Sequence, residues 1–173
     1  LDSVRPLLGS WCIVDTGSTD GTQEIVRRFL SDVPGTLHES SWKEYDGSRT
    51  EALELARTEC SNEGWILLID ADELLVLEGD LVLPDGYDCY NAWVSRCLGC
   101  ERWARSTFVR ASKPWFYMMP RHEGLYCRGS GPSCPDPLPN ALVLSMTDGK
   151  RAKADPYARY MEDARVLEAW IAK

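Results

Sequence analysis

Up to Glu73, the sequence alternates between strand-like and helix-like segments. Residues 10–15, 37–41 and 65–70 have the length and composition of strands, and the segments between them have the apolar periodicity of helices. Ser48 and Glu51 form a capping-box pattern that predicts the start of the second helix. The order strand–helix–strand–helix–strand predicts a parallel α/β sheet with helices on both faces.

Beyond Glu73, the pattern changes to short, aromatic-rich segments. Residues 88–94, 106–110 and 115–119 predict strands of a more antiparallel half. The segment 129–139 is rich in proline and glycine, which predicts a loop. A last helix is predicted from Asp155 and Pro156 onwards, and its apolar stripe is expected to pack on a neighbouring element. The stripe consists of Tyr157, Met161, Ala164, Leu167 and Ile171.

The composition limits the classes of partner. The 173 residues suffice for one domain with a buried core. The formal net charge of −8 argues against a nucleic-acid partner, because phosphates require a basic surface. It also gives no support for binding an anionic membrane face. No apolar run approaches the roughly 20 residues that span a bilayer, so no transmembrane segment is expected.

Seven cysteines are scattered along the chain. Their odd number and irregular positions argue against a disulfide framework and indicate a reducing compartment. The expected location is therefore the cytoplasm, with the inner face of a membrane as the alternative. Cys97 and Cys100 form a CxxC pattern that could join Cys127 and Cys134 in a four-thiolate zinc site. The wide spacing of the second pair argues against that site, and free thiols are expected instead.

Two acidic clusters follow two of the predicted strands. The first begins at Asp15, and the second contains Asp70, Asp72 and Glu73. Because parallel strands present their carboxyl ends at one edge of a sheet, both clusters are expected at the edge where α/β sheets bind ligands. No lysine or arginine adjoins either cluster in the sequence, so a cation is expected to balance their charge. Carboxylate oxygens suit Mg²⁺ or Mn²⁺, which usually also bind substrate phosphates.

Three motifs, in this order, resemble those of family 2 glycosyltransferases with the GT-A fold. VDTGSTDGT begins at Val14; Arg49 precedes an apolar helix pattern and a strand that ends in DADE at Glu73; and HEGL begins at His122. The last motif is similar to that of the branch in which helical repeats often follow the catalytic domain. The resemblance covers nearly all of the chain. It implies an α/β GT-A fold, with a Rossmann-like mixed sheet and flanking helices. Family members begin with a strand ahead of the helix in which this chain starts, so that N-terminal strand is expected to be missing.

The resemblance also implies roles for residues on the donor side. Asp15 is expected beside the nucleotide base, and Asp70 beside the ribose or the donor sugar. Arg49 is expected at the diphosphate or base, since a guanidinium fork suits phosphate oxygens. The implied metal ligands are Asp72 and His122. Further residues expected at the nucleotide-sugar site are Thr16, Gly17, Ser18, Asp20 and Ala71.

Four residues bear on catalysis and on contacts with the substrates. Glu123 is the candidate base, because an inverting transfer needs a carboxylate opposite the leaving diphosphate. Asp136, in the proline-rich loop, is the reserve acid. Trp115 is the ring considered for stacking on the acceptor or sugar. Thr50 stands where the family usually has asparagine, a change that is expected to alter the donor contact.

The resemblance implies one catalytic domain at 1–173. It would comprise a nucleotide-binding half at 1–80, an acceptor and metal half at 81–150, and a C-terminal helix at 155–173. The implied activity is metal-dependent, inverting transfer of a sugar from a nucleotide-sugar, expected to be UDP-linked, to a saccharide, lipid-linked or peptide acceptor. Two alternatives stay open. One is a sugar nucleotidyltransferase, which usually carries a glycine-rich basic loop near its N-terminus. The other is a non-catalytic remnant of the fold that binds a sugar or a partner.

Overall fold

A computed structural model describes residues 1–60, 64–129, 136–146 and 155–172. Within these ranges the chain forms three α-helices, which are α1 (Thr22–Phe29), α2 (Tyr45–Glu59) and α3 (Pro156–Ile171). A short 3-10 turn at Arg5–Leu7 precedes them. The strands are β1 (Trp11–Asp15), β2 (Gly35–Glu39), β3 (Trp65–Leu67), β4 (Glu73–Leu77), β5 (Cys89–Ser95), β6 (Arg102–Arg110), β7 (Trp115–Met118), β8 (Gly124–Cys127) and β9 (Ala141–Ser145).

The strands of the described residues form three separate sheets. Strands β1 and β2 pair in parallel. A five-stranded mixed sheet has the order β3-β6-β5-β9-β4, in which only β5 and β9 are parallel. Strands β7 and β8 form an antiparallel hairpin. The expectation of one parallel sheet carrying both acidic clusters is therefore wrong. Strand β2 pairs in parallel with β1, the strand that ends at Asp15, as expected. Strand β3, however, is short and pairs antiparallel with β6.

A cavity of about 630 Å³ lies between the β1–β2 pair and the five-stranded sheet. Trp11 and Ile13 line it from β1, while Trp65 and Leu67 line it from β3. A cavity with a mainly apolar lining thus lies between two strands that were expected to share one sheet.

The hydrophobic core lies in two clusters. One contains Tyr90, Val94 and Val143 of the large sheet, packed with Val4 of the N-terminal segment. The other contains Val109 of β6, Leu53 of α2 and Trp115 of β7. Helix α2 and the β7–β8 hairpin are therefore packed together with the large sheet, which brings loops distant in sequence to one side of it.

The antiparallel second half was predicted in outline. The segments at 88–94, 106–110 and 115–119 are confirmed as strands β5, β6 and β7 with small shifts of their ends. Strands β4, β8 and β9 were not predicted. Strand β4 starts at Glu73, inside the acidic cluster, and a buried carboxylate is an unusual beginning for a strand that packs in a core.

Helix α2 begins one turn earlier than the capping-box pattern suggested. It starts at Tyr45, and Ser48 lies within its first turns. The Ser48 hydroxyl donates to the carbonyl of Lys43, and Glu51 pairs with the Lys43 ammonium at 2.9 Å. The predicted capping box is therefore wrong, because both of its side chains are used to tie the preceding segment to the helix.

Helix α3 starts where the sequence predicts, since the Asp155 carboxylate accepts the Ala158 amide at 2.8 Å. The prediction for its apolar stripe is wrong. Tyr157 and Ile171 are 74% and 75% exposed, and the buried residue of the helix is Asp163, which pairs with Arg121. No helix among the described residues combines the length and apolar character needed to cross a membrane.

Cys97 and Cys100 are joined by a disulfide in the turn between β5 and β6. The expectation of free thiols is wrong for this pair, and joined sulfurs are not thiolate ligands for zinc. Cys127 is not part of a disulfide among the described residues. Cys134, the fourth member of the considered zinc site, lies outside the described residues.

Candidate active site

The loop after β1 is organised by one carboxylate. Asp15 is buried, and its Oδ1 accepts the amides of Gly17 and Ser18 at 3.0 and 2.9 Å. The amide side chain of Gln23, in the first turn of α1, donates to the same oxygen at 3.0 Å. Hydrogen bonds from Ser18 and Gln23 hold the pKa of Asp15 well below its usual range, although burial opposes them. Asp15 therefore fixes the conformation of the loop from its inside.

The outer part of this loop is exposed. Asp20 accepts the amide and hydroxyl of Thr22 at 3.1 and 2.6 Å, which starts α1. Gly17 and Gly21 have φ angles of 109° and 85°, a region that glycine adopts without strain. Thr16 is also exposed, so the loop offers backbone and side-chain donors to the solvent side while Asp15 holds it from beneath.

Arg49 joins residues from three distant parts of the chain. Its guanidinium contacts both oxygens of Asp70 at 2.7 Å, and its Nε lies 2.8 Å from Oε1 of Glu123. The guanidinium also lies 5.5 Å from the centre of the Tyr117 ring. Arg49 lies in α2, Asp70 follows β3, and Glu123 lies in the turn between β7 and β8. Asp70 and Glu123, both expected at the site from the sequence, thus contact the same guanidinium.

These contacts shift the charge states of the site. Burial disfavours the charged form of Asp70, but the hydrogen bond and charge of Arg49 outweigh it and lower the pKa of Asp70. Burial likewise opposes the charge on Arg49, and Asp70 is the main partner that raises the pKa of Arg49 above its usual value. Burial raises the pKa of Tyr117, whose ring lies within range of these charges. Arg49 and Asp70 therefore form a charged pair in a partly buried position.

A second ion pair lies beside this network. Both oxygens of Glu73 accept the two terminal nitrogens of Arg105, at 2.6 and 2.7 Å, and Oε2 of Glu73 also accepts the amide of Asp70 at 2.9 Å. The Glu73 side chain is only 3% exposed. The expectation that no basic residue neutralises the second acidic cluster is therefore wrong, since Arg49 and Arg105 reach it from α2 and β6.

One hydroxyl attaches α2 to the β7–β8 hairpin next to Arg49. Oγ1 of Thr50 accepts the amide of Tyr117 at 2.9 Å and donates to the carbonyl of the same residue at 3.3 Å. This places Thr50 on the hairpin backbone. The hairpin turn then presents Glu123 to Arg49, through His122 in a left-handed conformation with φ 56°.

Asp72 is the acid of the DADE motif that was expected to bind a cation. Its carboxylate has no side-chain partner among the described residues, and the acids and arginines of the cluster leave it with a formal negative excess. A hard dication fits such a carboxylate, because Mg²⁺ is usually bound by one or two carboxylates together with substrate phosphates. His122 is exposed, and Asp72 and His122 do not belong to a group of three or more close ligand side chains in the described ranges.

The other predicted site residues lie apart from the network. Ala71 is exposed in the turn before β4, and Asp136 is exposed at the end of the proline-rich loop, of which 130–135 lie outside the described residues. The Asp15 loop makes no hydrogen bond or ion pair with the Arg49 cluster among the residues that can be described. The prediction that Trp115 is available for a sugar is wrong, because its ring is buried and its Nε1 donates to the Arg110 carbonyl at 3.0 Å.

Comparison with known proteins identifies the family. The model of the family described as "Glycosyl transferase family 2" matches residues 11–78, which contain β1 to β4 and the first two motifs. This segment belongs to family 2 of the glycosyltransferases, and the mixed α/β architecture fits the GT-A-like fold that the family implies. No curated protein matches the chain at a significant level.

One residue beside the site, Arg105, was not identified from the sequence. Arg105 lies in β6 on the same face as Thr107 and Val109, which are both buried. An arginine that alternates with buried positions of a strand indicates a buried acidic partner. That partner is Glu73 at the start of β4. It could not be named from the sequence, because β4 was not predicted and its place in the same sheet as β6 was unknown.

Proposed function

We propose that the chain is a metal-dependent, inverting glycosyltransferase that uses a nucleotide-sugar, UDP-linked, as donor. The family match of residues 11–78 supports sugar transfer in general. The observation that carries the finer proposal is the contact of Arg49 with both Asp70 and Glu123. Residues assigned to the donor and to the acceptor proton thereby meet at one guanidinium, although they lie 21 or more positions apart in sequence.

The donor side of the proposal uses the two ends of the matched segment. The loop from Asp15 to Asp20 would hold the nucleotide, with Asp15 as its internal support. Asp70 would contact the ribose or sugar, and Arg49 the diphosphate, for which a planar guanidinium with several donors is suited. The side chains of Arg49 and Asp70 are already oriented by their mutual hydrogen bonds, which reduces the conformational entropy that they would lose on binding the donor.

The chemical step would be a single displacement. The acceptor hydroxyl oxygen forms a bond to the anomeric carbon while the bond from that carbon to the diphosphate oxygen breaks. The electron pair leaves with the nucleoside diphosphate, and the hydroxyl proton passes to Glu123. A side chain that is 18% exposed and held at one oxygen by Arg49 keeps its other oxygen for this proton. A Mn²⁺ or Mg²⁺ ion held by Asp72 and His122 would neutralise the leaving diphosphate.

Product analysis tests the reaction class. The full chain would be incubated with Mn²⁺ and a panel of nucleotide-sugars and saccharide, lipid-linked and peptide acceptors. Release of nucleoside diphosphate and an acceptor product with inverted anomeric configuration, read by NMR, is expected. Pyrophosphate as the product would indicate a sugar nucleotidyltransferase instead. Absence of both, with sugar or nucleotide binding retained, would indicate a non-catalytic remnant.

The metal assignment has a separate test. Asp72→Asn keeps the shape of the side chain but removes the charge that a hard cation needs. Calorimetry should show that Mn²⁺-dependent binding of UDP is lost in this variant, with little change in melting temperature. Asp80→Asn, at an exposed acid eight residues further along the chain, is the matched control and should bind normally. Equal binding by both variants would remove Asp72 from the metal site.

The base assignment rests on turnover. Glu123→Gln should abolish transfer while leaving UDP and Mn²⁺ affinity nearly unchanged, because the amide oxygen can still accept the Arg49 Nε–H but the group takes no proton. Asp136→Asn is the control. Near-normal turnover of Glu123→Gln together with an inactive Asp136→Asn would move the role to Asp136.

A further inference from the structure

Three side chains with different ligand atoms meet where α2 ends against the β1–β2 pair. They are the thiol of Cys12, the imidazole of His38 and the carboxylate of Glu59, and their ligand atoms all lie within 4.8 Å of one another. In the described parts of the chain, this is the only such group of three or more histidine, cysteine and acidic side chains. The motifs of the proposed transferase site do not include any of them.

The register of the two strands explains why they meet. Cys12 of β1 lies opposite Thr36 of β2, and Val14 lies opposite His38. Side chains two positions apart in a strand share a face, so Cys12 and His38 are diagonal neighbours on one face of the pair. Helix α2 ends at Glu59 against that face, which brings the carboxylate between them.

We propose that Cys12, His38 and Glu59 form a zinc-binding site. Thiolate, imidazole and carboxylate are the three side-chain ligands that Zn²⁺ uses, whereas Mg²⁺ or Mn²⁺ at the proposed donor site prefers oxygen alone. With metal–ligand bonds of about 2.0–2.3 Å, tetrahedral ligands lie roughly 3.3–3.8 Å apart. Small side-chain rotations therefore close the group around an ion.

The site is open enough for an ion to enter. The side chains of His38 and Glu59 are 26% and 29% exposed, and His38 Nε2 lies 2.7 Å from Glu59 Oε1 where an ion would replace the shared proton. Without metal, burial and Glu59 raise the pKa of the Cys12 thiol to about 11, so binding must also displace the thiol proton. Three protein ligands leave a fourth position for water or for a molecule in the 630 Å³ cavity, whose lining includes Cys12 and Glu59.

Metal titration of the full chain tests the site without any assay of sugar transfer. The protein would carry Cys97→Ser and Cys100→Ser, so that the CxxC sulfurs cannot bind the probe. One equivalent of Zn²⁺ should bind in competition with a chromophoric chelator. Co²⁺ in its place should give a thiolate-to-cobalt charge-transfer band and the strong visible bands of a tetrahedral ion. Zn²⁺ should also raise the melting temperature.

Matched substitutions assign the ligands. In this background, Cys12→Ser should remove the charge-transfer band, and His38→Gln should weaken zinc binding by at least about tenfold, since even supporting partners of ligands contribute 10–100-fold. Cys60→Ser, at the free thiol next to Glu59, should leave both readouts unchanged. Circular dichroism without metal would verify that each variant is folded.

Two results would overturn the proposal. One is binding of less than one equivalent of Zn²⁺ by the folded parent protein. The other is a cobalt charge-transfer band that survives in Cys12→Ser or disappears in Cys60→Ser. Either result leaves the proposed glycosyltransferase site unaffected, because none of its residues is substituted in this experiment.

Discussion

The Glu73–Arg105 ion pair makes the most quantitative prediction about this fold. Glu73 is almost fully buried, and it accepts two hydrogen bonds from Arg105 and one from the amide of Asp70. Arg105→Met keeps much of the apolar stem and removes the guanidinium. The Glu73 carboxylate, whose side chain is 3% exposed, then keeps a single hydrogen bond, which is from the Asp70 amide.

The magnitude follows from burial. Removing one partner of a buried ion pair costs about 3–5 kcal/mol, because the other charge is left uncompensated. Arg105 is 33% exposed, so solvent screens part of the pair and the lower end, about 3 kcal/mol, is expected. For a chain of this size such a loss lowers the melting temperature by roughly 6–12 °C. With a urea slope of about 2 kcal/mol/M, the unfolding midpoint should fall by roughly 1.5 M.

Urea and thermal unfolding would measure the effect, with a double variant to isolate the pair. Glu73→Leu combined with Arg105→Met replaces both charges by apolar groups and should recover most of the lost stability. Arg27→Met is the matched control, since its pair with Glu39 is 54% and 61% exposed and should contribute less than about 1 kcal/mol. If Arg105→Met costs no more than Arg27→Met, the reasoning from a buried carboxylate is refuted.

Three further predictions concern the loop, the hairpin and the last helix. Asp15→Asn should lower the free energy of unfolding by about 2 kcal/mol at neutral pH, in the range of hydrogen bonds to a charged group. Because folding lowers the pKa of Asp15, this loss should shrink as the pH falls below about 4. A loss that does not depend on pH would contradict the prediction. Thr50→Val should cost about 1–2 kcal/mol and speed hydrogen exchange of the Tyr117 amide, measured by NMR, since that amide loses its acceptor. Ile171→Ser should change the unfolding free energy by less than about 0.5 kcal/mol, and a larger loss would show that this exposed side chain is packed in solution.

Part of the local structure could be deduced from the sequence. The strand at 88–94, the helix start at Asp155 and the loop after Asp15 depend on neighbours within a few residues. The ordered motifs also predicted the family, which the match at 11–78 confirms. Local patterns of this kind are determined by side-chain periodicity, capping and backbone preference, which act over short stretches of chain.

Pairing between distant segments was decided by the tertiary structure. Nothing near Asp70 or Glu73 in sequence announces Arg49 or Arg105 as their partners, yet those partners change the expected charge of the whole cluster. The same holds for Asp163, whose pairing with Arg121 turns the predicted inner face of α3 towards solvent. It holds also for His38, which lies beside Cys12 and Glu59 although all three are far apart in sequence. The physical reason is that a charge is neutralised by the groups that lie within a few ångströms of it in space. A set of ligand side chains is assembled in the same way, and the separation of residues in sequence does not determine which of them become neighbours.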